Sequence, residues 1–273
     1  MLQFGKIAVI GAGNTAYTLC KLLKSKGIEP FCVFVRNPEK AEKVRQDLGI
    51  EVVSDYENVL KTDLAIIAVN DDAIFEVATH LTDYKGLAVH TSGTKPAELL
   101  NRTMRFGVFY PLQTMSKNRE IEFDGVPLLI YANSPDDVEM LSRFASHFSK
   151  KVVFCDDEQR KAIHLAAVYI SNFTNVMLGI GDKLLKDNGL KLDIMKPLVE
   201  EMIKKSFETT PKDALTGPAR RGDFATIGEH EKMLADNPDE LAIYMILTDY
   251  IIDNYQKNEK LYRTFKKRND LYL

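Results

Sequence analysis

The first half of the chain alternates short apolar runs with amphipathic stretches. Ile7-Ala8-Val9-Ile10, Phe31-Cys32-Val33-Phe34-Val35, Val52-Val53, Asp63 to Val69 and Leu87-Ala88-Val89-His90 are near-continuous apolar runs. Strands covered on both faces have this composition. Between them, Ala16, Leu19, Cys20 and Leu23 recur at helical spacing. Asn37 followed by Pro38 predicts a capped helix that closes near Gly49. Ser54-x-x-Glu57 predicts a capping box on a short helix, and Asp71 and Asp72 predict caps for the helix that follows them. Strand–helix alternation with short loops predicts an α/β fold with a doubly wound, mostly parallel sheet. Arg105 to Leu112, Val126 to Ala132 and Lys151 to Cys155 extend the strands, with one helix from Pro135 to Ser149.

From Asp156 onward the pattern is helical only. Asp156-x-x-Gln159 predicts a capping box. A long helix with Ile163, Ala166, Ala167, Ile170, Phe173, Val176 and Met177 in register runs to Asn188-Gly189. Further helices are expected at Ile194–Thr209, Phe224–Ala235 and Asp239 to about Asn269. The change of pattern divides the chain into an α/β domain, 1–155, and an all-α domain, 156–273.

Composition adds little bias. The chain has 273 residues, 45% hydrophobic and 27% charged, with a net charge of −3, which gives no electrostatic ground for nucleic acid or an anionic membrane as partner. The basic stretch Lys257 to Asp270 fits a solvated helix face. Cys20, Cys32 and Cys155 form neither a disulfide framework nor a zinc motif, so buried thiols in a reducing cytoplasm and no metal are expected. The sequence offers no N-terminal signal region and no apolar run near the ~20 residues that span a bilayer.

Candidate chemistry starts at the first turn, Gly11-Ala12-Gly13-Asn14-Thr15-Ala16. Gly11 permits the tight turn, Gly13 admits a pyrophosphate close to the backbone, and Ala16 lets the helix pack on the strand. The helix start presents free N–H groups to an anion. Counting 20 residues from Ala16 reaches Arg36, with no acidic residue in the strand before it. An arginine there suits the 2′-phosphate of NADP rather than the ribose hydroxyl of NAD, and Asn37 adds a donor. Val69, Asn70 and Ser92 fall on the carboxyl edge of the sheet, where the nicotinamide ribose belongs. On the long helix, His164 and Asn172 stand on one face; a neutral histidine there is either a satisfied core residue or a proton donor. Thr216 and Arg221 sit in the loop Ala214-Leu215-Thr216-Gly217-Pro218-Ala219-Arg220-Arg221-Gly222-Asp223, which suits an anion, a partner chain or an Arg221–Asp223 pair with Asp223 as a helix cap.

The order of these motifs extends through Val35-Arg36-Asn37-Pro38, Ala68-Val69-Asn70-Asp71-Asp72, Val89-His90-Thr91-Ser92-Gly93, Tyr110-Pro111-Leu112-Gln113-Thr114, His164-Leu165-Ala166-Ala167 with Asn172, and Leu215-Thr216-Gly217-Pro218 with Arg221-Gly222-Asp223. It resembles the NADP-dependent oxidoreductases that join a Rossmann-like domain to a conserved helical C-terminal domain of unknown function. That family is similar in architecture to pyrroline-5-carboxylate reductase, ketopantoate reductase and 6-phosphogluconate dehydrogenase. The resemblance implies a helical domain of the 6-phosphogluconate dehydrogenase C-terminal type, homodimerisation through it, and a small, anionic substrate in the interdomain cleft. It implies hydride transfer between NADPH and a C=O or C=N carbon. Gly11, Ala12, Gly13, Asn14 and Thr15 would then hold pyrophosphate, His164 donate the proton, Asn172 orient the substrate, and Thr216 and Arg221 bind its anionic group. Val168 stands one turn before Asn172, where the 3-hydroxyacid and ketopantoate enzymes carry lysine. Tyr110 stands where the family carries histidine and is given no catalytic role. The alternative expectation is an NADP(H)-binding sensor without catalysis.

Overall fold

The computed structural model describes residues 5–255. The chain forms two compact units that divide between Ile170 and Ser171. In the first, the strands are β1 Ile7–Ile10, β2 Cys32–Phe34, β3 Val52–Val53, β4 Leu64–Ile67, β5 Leu87–His90, β6 Phe106–Pro111, β7 Leu128–Ala132 and β8 Val152–Phe154. They form one sheet in the order β3-β2-β1-β4-β5-β6-β7-β8. All neighbouring pairs are parallel except β6 with β7. The order 3-2-1-4-5-6 is that of the dinucleotide-binding doubly wound fold, with β7 and β8 added at one edge.

Residues of β1 alternate between two cores. Ile7 and Val9 pack with Leu19, Leu23, Val44 and Phe144, whereas Ala8 and Ile10 pack with Val59, Ile74, Val77 and Tyr84. Both faces are covered, so the strand is apolar throughout, as expected of a parallel sheet. The covering helices are α1 Asn14–Ser25, α2 Pro38–Leu48, α3 Ile74–Thr79 and α4 Pro135–Ala145. Helix α2 is capped as expected: Asn37 accepts from the Lys40 N–H and Gly49 ends the helix at φ +62°. The box expected at Ser54-x-x-Glu57 does not form. Asp55 takes the Glu57 N–H instead, and a single 3₁₀ turn, Val59–Lys61, stands where the helix was expected.

After β8 comes α5 Asp157–Ala167, with the Asp156–Gln159 capping box formed in both directions. The sheet ends at Phe154, next to the expected boundary at 155, yet α5 stays with the first unit because Asp157 and Arg160 are bonded to the loop at Lys95 and Ala97. Helical structure continues as a π-helical segment, Val168–Phe173, and as α6 Thr174–Asp187, which Gly189 terminates at φ +72°. The whole helix, Asp157–Asp187, is 31 residues and contains an 18-residue window of mean hydropathy 1.4, no residue of which is buried. This corrects the expectation from apolar runs: Ser171, Asn172 and Asn175 interrupt the run, while the average still reaches a membrane-spanning length and composition. One such helix is weak evidence of a membrane, since a covered helix of a soluble protein has the same character.

The second unit continues with α7 Lys196–Glu208, α8 Pro211–Ala214, α9 Pro218–Arg221, α10 Phe224–Met233 and α11 Pro238–Tyr255. Its small core centres on Ala219, Ile227 and Ile252. Among the described residues no strand follows Phe154. The remainder of the helix expected to about Asn269, and the basic stretch 257–270, lie outside the described residues. All three cysteines are buried and free.

Candidate functional site

The strand order reverses between β1 and β4, and a crevice opens there at the carboxyl ends of the strands. β1 runs into Gly11 at φ +131°, where an added Cβ would lie 2.3 Å from the Ala68 carbonyl oxygen. Only glycine lets this turn run against the chain leaving β4. Nothing lies within 4 Å of a Cβ placed on Gly13, and Gly13 caps α1 without any side-chain bond. The first N–H groups of α1, at Asn14 and Thr15, are therefore free of a capping oxygen and face a positive dipole end with no acidic residue in the turn. A cavity of about 300 Å³ runs along this edge, lined by Gly11, Ala12, Gly13, Arg36, Asn37, Val69 and Asn70, all expected cofactor residues. A bare helix start, a glycine cradle and two arms of the sheet edge fit a dinucleotide.

Partners distant in sequence shape this cavity. Arg36 follows the end of β2 by two residues, and its Nη1 donates to Glu76 Oε1 of α3 at 2.7 Å. Lys40, one turn into α2, also lines the cavity. The Asn37 side-chain oxygen is engaged with the Lys40 N–H, so only its amide nitrogen remains as a donor. Phe34, Tyr56 and His80 stack in sequence on the cavity wall, with centroids 4.2 and 4.6 Å apart.

The loop after β5 is tied to itself and to β4. Ser92 is buried, and its Oγ accepts the N–H groups of Thr94 and Lys95. That oxygen holds the loop through two backbone N–H groups. His90 is wholly buried; its Nε2 contacts the Pro96 carbonyl at 3.2 Å and its Nδ1 accepts the Ser92 N–H at 3.1 Å. A carbonyl can only accept, so these partners assign the neutral Nε2–H tautomer. Burial, then the nearby Arg160 charge, push this imidazole down to about 4. Asp71 and Asp72 do not cap α3. Asp71 accepts from Thr94 Oγ1 at 2.8 Å and Asp72 pairs with Lys95, because cross-loop donors outcompete the short 3₁₀ turn at Asp71–Ala73.

His164 of α5 reaches this same edge. Its Nδ1 lies 3.2 Å from Tyr110 Oη, at the end of β6. A Cβ on Gly93 would sit 2.5 Å from His164 Nδ1 and 3.0 Å from Tyr110 Cζ, so the pair rests against bare backbone. Burial, and then the Asp71 carboxylate, raise the Tyr110 phenol, which therefore stays protonated at neutral pH. One turn earlier, the fully buried Arg160 donates through Nη2 to Asp157 and to the Lys95 carbonyl, while its Nε and Nη1 have no hydrogen-bond partner among the described residues. Periodicity places His164 on one helix face with Asn172; its partner Tyr110, 54 residues away, carries no local signal.

Asn172, Thr216 and Arg221 belong to the helical unit, and no hydrogen bond or ion pair between them is present among the described residues. Asn172 lies in the π-helical segment, a wide turn that is frequent at functional sites and that a 3.6-residue period does not reveal. Thr216 lines an apolar cavity of about 260 Å³ with Met177, Pro218, Ile243 and Leu247. Arg221 closes α9 before Gly222 at φ +73°. Asp223 caps α10 through the Thr226 N–H and hydroxyl, as expected, and forms no salt bridge with Arg221 among the described residues. No metal-ligand cluster is found among the described residues.

Residues 6–89 match a family model described as NADP oxidoreductase, coenzyme F420-dependent, and residues 126–251 match the model of a domain of unknown function, DUF2520. A Bacteroides fragilis protein assigned as an NADP oxidoreductase is 38% identical, with 93% of this chain and 100% of that one covered at a TM-score of 0.84. At the level of fold, the chain is similar to 1-pyrroline-5-carboxylate reductase from Streptococcus pyogenes (16% identity, 93% and 98% covered, TM-score 0.64). It is likewise similar to an imine reductase from Myxococcus stipitatus solved with NADP+ (15% identity, 91% and 92% covered, TM-score 0.60).

Proposed function

The chain belongs to the family of NADP oxidoreductases that joins a Rossmann-like domain to a DUF2520 domain, and from that premise we propose that it reduces a C=O or C=N carbon of a small, anionic metabolite. Bound NADPH supplies the hydride. Gly11, Ala12 and Gly13, with the free N–H groups at Asn14 and Thr15, hold the pyrophosphate. Arg36, the Asn37 amide and Lys40 hold the 2′-phosphate. Val69, Asn70 and the Ser92 hydroxyl flank the nicotinamide ribose. His164 delivers the proton that accompanies hydride transfer, with Tyr110 fixing its ring. Asn172 orients the substrate, and Thr216 and Arg221 bind its anionic group, contributed by a partner subunit. A second copy would cover the apolar surface of the helical unit, where Leu198, Phe207 and Ile246 are 66%, 84% and 68% exposed. The cytoplasm suits its three free thiols.

The observation that carries this reading is the placement of His164, Tyr110 and Gly93 at the strand edge that also carries the glycine turn and cavity. The test is incubation with NADPH and a panel of keto acids and cyclic imines, following loss of cofactor absorbance. Oxidation with a member of the panel, lost in His164→Asn, is expected. Turnover unchanged in that variant would remove His164 as donor. The second reading, an NADP(H) sensor, draws on Val168 in place of the relatives' lysine. Tight NADPH binding with no oxidation across the panel would favour it.

A further inference from the structure

The cavity beside the glycine turn contains a carboxylate that has no place in the binding of a phosphate. Glu76 sits on α3, 40 residues from Arg36, and the two meet across the cavity mouth at 2.7 Å. Both side chains are open to solvent, 78% for Arg36 and 55% for Glu76, so neither is locked by packing. The pair uses one N–H of the guanidinium. Lys40 lines the same cavity and makes no ion pair among the described residues.

We propose that Glu76 is the internal counter-ion of the 2′-phosphate site: it occupies Arg36 in the free protein, is exchanged for phosphate on binding, and so sets how strongly the protein distinguishes NADP(H) from NAD(H). The inference rests on the NADP site proposed above. The physical argument is a comparison of anions. A phosphate monoester carries about −1.5 to −2 charges at neutral pH and three acceptor oxygens. It can take two parallel N–H donors from Arg36 and attract Lys40, whereas Glu76 takes one donor and carries a single charge. Phosphate therefore wins the exchange. Glu76 still opposes it twice, through the exposed pair that must open and through like-charge repulsion once it stands unpaired at the rim. A dinucleotide with a free 2′-hydroxyl displaces nothing and leaves the Arg36–Glu76 pair in place. Glu76 thus weakens the phosphorylated cofactor selectively.

The test is calorimetric titration of the full chain with NADP+, NAD+ and 2′-AMP, for the wild type, Glu76→Gln, Arg36→Ala and the double variant. Glu76→Ala is titrated alongside, and melting curves establish that each variant is folded. Glu76→Gln and Glu76→Ala are expected to tighten NADP+ and 2′-AMP by about three- to tenfold, the range that opening an exposed pair and removing one like charge gives. NAD+ should change by less than about twofold. The gain should vanish on the Arg36→Ala background, since it acts through that guanidinium. An unchanged NADP+/NAD+ ratio in folded Glu76 variants, or weaker NADP+ binding, overturns the counter-ion role while leaving the NADP site intact. A wild type that binds NAD+ as tightly as NADP+, indifferent to Arg36→Ala, overturns both.

Discussion

Substituting Asp157 by asparagine removes the charge partner of Arg160, a fully buried cation. The Arg160 side chain is 0% exposed and that of Asp157 21%. Arg160 Nη2 donates to Asp157 Oδ1 at 2.6 Å, and two further guanidinium nitrogens have no partner among the described residues. Asparagine keeps an oxygen for the Ala97 N–H, which now bonds to the carboxylate at 3.2 Å. What it removes is the charge. An uncompensated buried cation costs about 3–5 kcal/mol. For a protein of this size that corresponds to a fall in Tm of about 10 °C. Thermal unfolding followed by circular dichroism measures it. Arg160→Met is the control: it removes the charge itself and leaves Asp157 partly solvated, so its cost should be about 2 kcal/mol or less. A loss under about 1 kcal/mol in Asp157→Asn, or a larger loss in Arg160→Met, would refute the reasoning.

Two further predictions concern neighbours of this pair. Gly93→Ala places a methyl 2.5 Å from His164 Nδ1, so NADPH affinity should hold while turnover falls about 100-fold, the cost of a displacement near 1 Å at a reacting group; parallel binding and rate measurements check it. His90 is held neutral by burial, with a folded value of about 4 against 6.5 unfolded. The unfolded chain therefore binds the proton first as pH falls. Stability drops between pH 6.5 and 4, by about 2 kcal/mol from pH 7 to 5. Urea midpoints at the two pH values measure the drop, which should flatten in His90→Gln.

Much of the fold was legible because the sheet is covered twice. Leu87–His90 and Ile7–Ile10 are apolar at every position or nearly so, and no single-faced strand needs that. The caps at Asn37 and Asp156 were legible because capping is local, closing within three residues. The count from Ala16 reaches a residue that lines the cavity, Arg36, because strand and helix lengths in this fold vary little. What stayed hidden was set by partners far away in sequence. Asp71 and Asp72 have the composition of helix caps until Thr94 and Lys95 arrive from another loop. Arg160, in the first turns of a charged helix start, has the composition of a solvated residue, yet Lys95 and Asp157 enclose it. Tyr110 carries no local signal of its role, and its bond to His164 forms only where β6 and α5 meet. The π-helical turn at Val168–Phe173 has no periodic signature of its own.

The central claim is that the edge formed by Gly11–Gly13 and Arg36 is an NADP site. Dissociation constants for NADPH and NADH, measured on the wild type and on Arg36→Ala, test it most directly. The account predicts tighter binding of NADPH, with the advantage lost in Arg36→Ala. Tighter binding of NADH, unchanged by that substitution, would contradict it.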